Sequence, residues 1–400
     1  MNDACRFVLL AGLTCLGLSS PAGADSFWTP LDADPALWPY ADGPTVQTVA
    51  LPNSVYRMAG VVGTYEGEDA IFSVGGRTRT TYYVGETGTS EPYPDNRQSH
   101  FSIFRPGTGW LSADGSDDVD NGNGTWTSVG LAGYNNGSGT QSPTAGQGTG
   151  YVADQGFLYG NAMYVFGGYP QWGGQMARYD LAGNRWSQVA LGDDDGLYTN
   201  GGGGLIGDRW YKVHRAGALM CYNPTADAFE ADVVVPGLVD PGFGAGTGVI
   251  DDLLYLLDID GSLYAIDPAG GSVVKKATAP LAVREAGTVV WGGKLFILGG
   301  KTDSSNVTSV DRIQIYDPQT DAWGFSIVTL PSARSGMLAE VLGETLYVGN
   351  GLNDLDGDSL AVLNDFYAAS MQDVSTPIPE PAGVSLLALG ALAILRRRTV

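Results

Sequence analysis

The sequence predicts an all-β fold, a six-bladed β-propeller, on three observations. Glycine is unusually frequent, at 59 of 400 residues, whereas charged residues make up only 16%. Short apolar runs alternate with turn residues along the chain, which is typical of strands rather than helices. A related pattern returns about every 45 residues, and a four-stranded unit of that size buries both faces only if the sheets stack radially.

The chain begins with a segment that is expected to direct export. The run from Phe7 to Leu18 is apolar, and Ala22 and Ala24 supply small residues at the usual positions before a cleavage site. We therefore expect residues 1–24 to be a signal peptide that is cleaved after Ala24. Residues 25–44 are expected to lead into a propeller over 45–370.

The clearest repeat units share a Gly-Gly pair after an apolar strand, followed in two of them by a Tyr and a Trp seven residues apart. These residues are Gly75, Gly76, Gly167, Gly168, Tyr179, Trp186, Gly299, Gly300, Tyr316 and Trp323. The pattern resembles the kelch repeat. The resemblance implies that each Gly-Gly ends the second strand of a blade, where a side chain would meet a neighbouring turn. It also implies that the Tyr and the Trp pack between blades.

Closure of the ring is predicted from the two ends of the repeat region. The last unit lacks an outer strand, and residues 45–51 read as one, so we expect them to complete that blade and remove a free sheet edge. The interval between Gly75 and Gly167 is twice the usual spacing. It leaves a seventh blade open as the alternative, with residues 125–129 as its weak strand candidate.

The end of the chain has three parts in order after an expected linker at 371–378. Pro379-Glu380-Pro381 precedes the apolar run from Ala382 to Leu395, and Arg396, Arg397 and Arg398 follow. This arrangement resembles the PEP-CTERM sorting signal. The resemblance implies transient membrane anchoring, processing by an exosortase-type protease and a host that makes an extracellular polysaccharide. A plain tail anchor is the alternative; under either reading the body is exported to the cell surface or matrix.

Charge and cysteine content exclude two classes of protein. The formal net charge is −22, which opposes binding to nucleic acid. Cys221 alone remains after the expected cleavage, so the mature chain is not a disulfide-stapled domain.

Three Asp-rich loops are the candidate metal sites, because clustered carboxylates with Gly and Asn suit Ca²⁺. The weak calcium candidates are Asp118, Asp120, Asp354, Asp356 and Asp358. Solvated turns on an acidic protein are the alternative, so Ca²⁺ is a possible cofactor and no other cofactor is expected.

Function is predicted from the scaffold and its loops. Aromatic residues in loops after the Gly-Gly pairs could stack on sugars or pack between blades: Tyr82, Tyr83, Tyr93, Tyr169 and Trp172. The expected role is a non-catalytic binding or structural module for exopolysaccharide or protein partners. The alternatives are a carbohydrate-active hydrolase or lyase, or a copper oxidase resembling galactose oxidase. His100 and His214 are the only histidines, and no catalytic residue is assigned.

Overall fold

The computed structural model describes residues 27–31, 57–74, 101–112, 118–120, 126–129, 155–167, 175–182, 185–188, 202–302, 308–354, 360–363 and 365–378. Within these ranges the backbone forms 28 strands and one short helix, α1 (Met371–Val374). The strands make six blade sheets and one two-stranded hairpin. The prediction of an all-β, six-bladed propeller is confirmed.

Four blades are plain four-stranded antiparallel sheets whose strands follow one another in chain order. Blade one contains β2 (Ala59–Tyr65), β3 (Glu68–Val74), β4 (Phe101–Arg105) and β5 (Gly109–Ser112). Blade three contains β12 (Gly203–Ile206), β13 (Arg209–Arg215), β14 (Ala218–Asn223) and β15 (Ala228–Val234). Blade four contains β16 (Gly246–Ile250), β17 (Leu253–Leu257), β18 (Leu263–Asp267) and β19 (Ser272–Lys275). Blade five contains β20 (Gly287–Trp291), β21 (Lys294–Leu298), β22 (Ile313–Asp317) and β23 (Ala322–Phe325).

Blade two is a six-stranded sheet, which explains the doubled interval in the sequence. Its core strands are β8 (Gln155–Tyr159), β9 (Ala162–Gly167), β10 (Gln175–Asp180) and β11 (Arg185–Gln188). Two earlier strands, β6 (Asp118–Asp120) and β7 (Trp126–Val129), extend it outward, with β7 paired to β11. The strand candidate at 125–129 therefore widens blade two and does not start a seventh blade.

Blade six is completed by the N-terminal part of the chain. It contains β24 (Leu338–Leu342), β25 (Thr345–Gly349) and β28 (Phe366–Ser370), and β1 (Thr29–Pro30) pairs with β28 as the outer strand. The hairpin of β26 (Leu352–Asp354) and β27 (Leu360–Val362) lies between β25 and β28 in the chain. Closure by an N-terminal strand is confirmed, but Thr29–Pro30 supplies it. The predicted 45–51 lie outside the described residues.

The closing strand is anchored by the residue before it. Trp28 is buried, and its indole Nε1 donates a hydrogen bond of 2.7 Å to the carbonyl of Thr329, after blade five. Residues 371–378 pack nearby: α1 buries Met371 and Val374 in the same apolar cluster as Trp28. Ser326 and Pro377 then form an isolated bridge beside β23. Both ends of the described chain thus fasten blades five and six.

The burial of each strand follows its place in the blade. Second strands such as β17 and β21 are almost wholly buried, since neighbouring blades cover both of their faces, and their sequences are correspondingly apolar. Outer strands such as β15 and β19 are largely exposed. Cores therefore lie between blades, and this is where radial stacking buries the apolar side chains.

The first strand of every blade is the innermost one, and together these strands line a central channel. Glycines allow the close approach that the ring requires. A Cβ added to Gly287 would lie 2.7 Å from the Cβ of Ala339 in blade six, and one added to Gly246 would lie 2.5 Å from Thr288 Oγ1 in blade five. Much of the high glycine content of inner strands therefore serves packing around the channel.

No helix of the described ranges is long and apolar enough to cross a membrane. The apolar run at 382–395 lies outside those ranges.

Candidate functional site

The channel has a mouth on the face where the inner strands begin. Four residues, each two positions before an inner strand, have left-handed backbone angles: Arg57 (φ 59°), Gly244 (φ 82°), Glu285 (φ 55°) and Gly336 (φ 55°). Their backbones form a chain of hydrogen bonds, from Arg57 N to Gly336 O (2.7 Å), from Gly336 N to Glu285 O (2.7 Å) and from Glu285 N to Gly244 O (2.8 Å). Blades four, five, six and one are thus linked around the mouth by main-chain contacts.

An ion cluster is built on this frame. The Arg57 guanidinium binds Glu285 through two bonds, Nη2–Oε1 at 2.6 Å and Nε–Oε2 at 2.9 Å. Lys301 Nζ lies 3.6 Å from Glu285 Oε2, and the Arg57 guanidinium lies 4.7 Å from the centre of the Phe243 ring. Gly336 stands between the partners along the ring and has no side chain to obstruct the pair. Paired N–H···O bonds of this kind fix orientation as well as charge.

Glu285 is held in its charged form. Its side chain is only 4% exposed, and burial by itself would raise the pKa. The attraction and hydrogen bonds of Arg57, with Lys301 and Arg284 nearby, outweigh that effect and lower the pKa below its usual value. A buried carboxylate with compensating cations is a structural anchor of the mouth.

A cavity of about 230 Å³ lies within the channel beneath this cluster. All six inner strands or their lead-ins contribute to its wall, and the polar side chains among them include those of Thr247, Thr288 and Glu340. The Thr247 hydroxyl donates to the carbonyl of Gly203 at 3.1 Å. Thr288 Oγ1 is buried without a hydrogen-bond partner among the described residues.

Glu340 is the second acidic group of the cavity, and it differs from Glu285 in its lack of charged partners and in the direction of its pKa shift. Its carboxyl oxygen Oε1 lies against Gly60 of blade one, in space that a Cβ there would fill. No described residue donates a hydrogen bond to this carboxyl or pairs with its charge. Part of its surface remains open, and that part faces the channel. Burial among protein atoms raises the pKa of Glu340 to about 8, and no neighbouring cation offsets this effect.

A second buried cation supports the same face. Arg334 is fully buried and binds Asp365 through Nη1–Oδ1 at 2.7 Å and Nη2–Oδ2 at 3.0 Å. Its Nη1 also donates to the carbonyl of Asn350 at 3.2 Å. The connection between β25 and β28, which contains the β26–β27 hairpin, is thereby tied to the segment that leads into β24.

The structure describes one complete example of the predicted repeat signature. Gly299 and Gly300 follow β21 with φ values of 59° and 94°. A Cβ on Gly299 would strike the carbonyl oxygen of Arg334, and one on Gly300 would lie 2.9 Å from that of Arg284. The rings of Tyr316 and Trp323 lie 5.0 Å apart, and Trp323 Nε1 donates to Ala277 O, between blades four and five, at 2.8 Å.

The other signature residues are only partly covered by the described ranges. Tyr179 is fully buried on β10, Gly167 ends β9 and Trp186 lies on β11. Gly75, Gly76 and Gly168 lie outside the described residues.

Three of the five predicted calcium residues lie within the described part of the chain. Asp118 and Asp120 lie on β6, the outermost strand of blade two, and Asp354 ends β26. Asp356 and Asp358 lie outside the described residues. Among the residues that the structure does describe, no three His, Cys, Asp or Glu side chains are grouped to hold a metal ion. Calcium binding stays a prediction.

Cys221 occupies a buried position on β14, as expected for a small apolar side chain. Its thiol donates to Glu230 Oε2 at 3.7 Å, and burial, then Glu230, raises the pKa of the thiol to about 11. The group is therefore a neutral thiol near pH 7, which is the unreactive form. His214 lies on β13, while His100 and the loop aromatics at 82, 83, 93, 169 and 172 lie outside the described residues.

Sequence reasoning missed the mouth cluster, although a signal was present. Glu285-Ala286-Gly287-Thr288 repeats the pattern of Gly244-Ala245-Gly246-Thr247. An alignment of the repeat units at the first residue of each inner strand places Glu285 where another unit has Gly244. A charged residue at a position that is otherwise glycine is the signal that indicates the cluster.

Comparison with known proteins agrees with the geometry. Residues 282–323, which span blade five and its lead-in, match the family model described as the kelch motif. A search of curated proteins finds no match to the chain. The fold is that of a six-bladed β-propeller with a polar channel mouth, and its fifth blade matches the kelch motif.

Proposed function

We propose that this chain is an exported, non-catalytic binding propeller that holds exopolysaccharide or protein partners on its channel-mouth face. In this proposal residues 1–24 direct export, and the tail at 379–400 sorts the protein to the cell surface or matrix through an exosortase-type protease. The sequence patterns described above support these two steps.

The observation that carries the proposal is the construction of the mouth. Hydrogen bonds between backbones and the Arg57–Glu285 pair hold its rim in one geometry. Second strands end on this same face, as the register of Leu338 with Gly349 and of Gly287 with Leu298 shows. The connections between second and third strands therefore start from a rigid frame, which is the usual arrangement of binding loops on a scaffold.

The chemistry of the described groups favours binding over turnover. The Glu285 carboxylate is bound by Arg57 and Lys301. Cys221 is a neutral thiol away from the channel wall. Glu285, the other carboxyl group of the cavity that holds Glu340, is bound by Arg57 and Lys301, whereas glycoside hydrolysis ordinarily uses a pair of carboxyl groups.

The test is co-sedimentation of the purified protein with the exopolysaccharide of its host, with sugar release assayed in the same tubes. We expect binding without released sugar, and a loss of binding when Phe243 at the mouth is replaced by Ala. Val274→Ala is the matched control, because Val274 lies exposed on the outer strand of blade four. Released sugar would contradict the non-catalytic role. Absence of binding would reject polysaccharide as the partner, and equal loss in both variants would reject the mouth as the binding face.

A further inference from the structure

The channel wall is made of strand edges that have no neighbouring strand. β2, β8, β12, β16, β20 and β24 each stand at the inner end of their sheet. One edge of such a strand has no neighbouring strand, so alternate carbonyl and N–H groups along it lack a ladder partner. Some of these groups have side-chain partners, as the Gly203 carbonyl does in the Thr247 hydroxyl, and residues of all six inner strands line the cavity.

Glu340 adds the one charge-bearing group on this wall that is not already paired within the described residues. Arg57 and Glu285 neutralise each other at the mouth. The Glu340 carboxyl instead lies against Gly60 with neither a hydrogen-bond donor nor a counter-charge among the described side chains. A carboxyl that is partly open to a cavity and has no protein partner is a candidate for ligand binding.

Three observations define what could satisfy it. The cavity of about 230 Å³ is smaller than the sites that enclose drug-sized molecules, which suits a single chain-end residue. A net charge of −22 attracts cations and repels anions. Ca²⁺ takes six to eight oxygen ligands, often including several carboxylates, whereas an ammonium group is satisfied by one carboxylate and two carbonyls.

We propose that the channel binds a primary ammonium group of an amino-sugar residue through the Glu340 carboxylate, in the cavity that the inner strands enclose. This inference rests on the proposed function, because it names the sugar chemistry that the mouth would admit. Glu340 is the specificity residue: its carboxylate repels anionic sugars and binds a sugar with a free amino group more tightly than one whose amino group is acetylated.

For an ammonium ligand whose own charge is constant, binding of this kind depends on pH through one residue of the protein. In the free protein the carboxyl must lose its proton before it can pair with an ammonium ion, and its pKa is about 8. The other charged or titratable groups on the strands packed around Glu340 do not change their protonation state near that pH. The Arg57 guanidinium stays protonated, the pKa of Glu285 is lowered, and burial raises the pKa values of Tyr347, which pairs with Glu340 across the strands, and of Tyr65.

The first experiment uses butylammonium, whose charge is constant over the range, with 1-butanol as the uncharged match. Calorimetric or ligand-observed NMR titration should show affinity for butylammonium that rises about 50-fold from pH 6 to pH 8, in step with the deprotonated fraction. Glu340→Gln should lower the affinity at pH 8 at least about tenfold and abolish the pH dependence. Glu344→Gln, on an exposed turn of the same blade, should behave as wild type. Equal binding of 1-butanol, or unchanged binding by Glu340→Gln, would overturn the proposal.

The second experiment separates the ligand source and the proposed function. Glucosamine oligomers should bind in a manner that depends on Glu340, and their N-acetylated counterparts should not. Butylammonium binding without glucosamine binding would overturn the amino-sugar assignment. Host polysaccharide that co-sediments equally with wild type and Glu340→Gln would overturn the inference and leave the proposed function standing. Ammonium binding with no polysaccharide binding would reject polysaccharide as the partner in the proposed function and leave the ammonium site standing.

Discussion

The guanidinium of Arg57 reaches past blade six to the carboxylate of Glu285, and the two residues lie 228 positions apart in the chain. Blade one and blade five are thereby joined across the blade in which the ring is closed. The pair lies directly above the cavity, so it links the closure of the fold to the geometry of the binding face.

Replacing Arg57 by Met should make the protein easier to unfold, because Glu285 would keep a buried charge without its bidentate partner, and Lys301 and Arg284 would compensate that charge only in part. We expect a loss of about 3 kcal/mol in the free energy of unfolding, measured by urea denaturation. The double variant Arg57→Met, Glu285→Met should recover part of this loss, because the poorly compensated carboxylate is gone, although the buried Lys301 loses one partner. Arg209→Met, which removes an exposed ion pair with Glu230, is the control and should change the midpoint little. A double variant no more stable than the single one would contradict the assigned burial.

Glu340 should make the protein less stable as pH rises. Its pKa is about 8 in the folded protein against an ordinary value of 4.5, so the folded state binds the proton more tightly than the unfolded state. The contribution of Glu340 to the free energy of unfolding is greatest below pH 4.5. It falls by up to about 1.4 kcal/mol per pH unit between pH 4.5 and pH 8, and it stays constant at higher pH. Glu340→Gln should therefore raise the melting temperature at pH 8 and leave it unchanged at pH 4. A gain that is equal at both pH values would refute the shifted pKa.

Trp28 should be indispensable for closing the ring. Trp28→Ala removes a buried indole and its hydrogen bond to Thr329, and we expect a loss of about 3 kcal/mol. Trp291→Ala is the matched control, because Trp291 is half-buried at the end of β20 and should cost less. Denaturant titrations of both variants test this order, and a reversed order would show that the N-terminal strand does not hold blade six closed.

Gly287 should tolerate no side chain. Gly287→Ala places a Cβ 2.7 Å from that of Ala339 and would push the inner strands of blades five and six apart, at a cost of about 2 kcal/mol. Gly324→Ala is the control, since its nearest neighbour would be 3.9 Å away and we expect a change within about 0.5 kcal/mol. Equal unfolding midpoints for the two variants would mean that inner strands can move apart freely.

The sequence was sufficient to predict the propeller, because burial of second strands leaves a direct mark. Runs such as Leu253–Leu257 and Lys294–Leu298 show it, and the turn residues between them set the strand count. The strand number of blade two was harder to predict, because β7 pairs with β11 at the outer edge of the sheet and no local sequence pattern indicates this pairing. The closing strand Thr29–Pro30 is two residues long, too short for any periodicity to reveal.

The site was largely beyond prediction for a different reason. Arg57, Glu285 and Glu340 come from blades one, five and six, and only closure of the ring brings them to one channel. Charged residues beside a strand are ordinarily solvated, so sequence alone gave no cause to select them. The loop acids stand out in the sequence because they are clustered along the chain.

The most direct test of the central claim is hydrogen exchange of the purified protein with and without host exopolysaccharide. The account predicts slower exchange in the lead-ins to the inner strands, at residues 57–58, 243–245, 284–286 and 335–337, which surround the mouth. Protection confined to the turns on the opposite face, at 66–67, 207–208, 251–252, 292–293 and 343–344, would contradict it and place the binding surface at the other end of the channel.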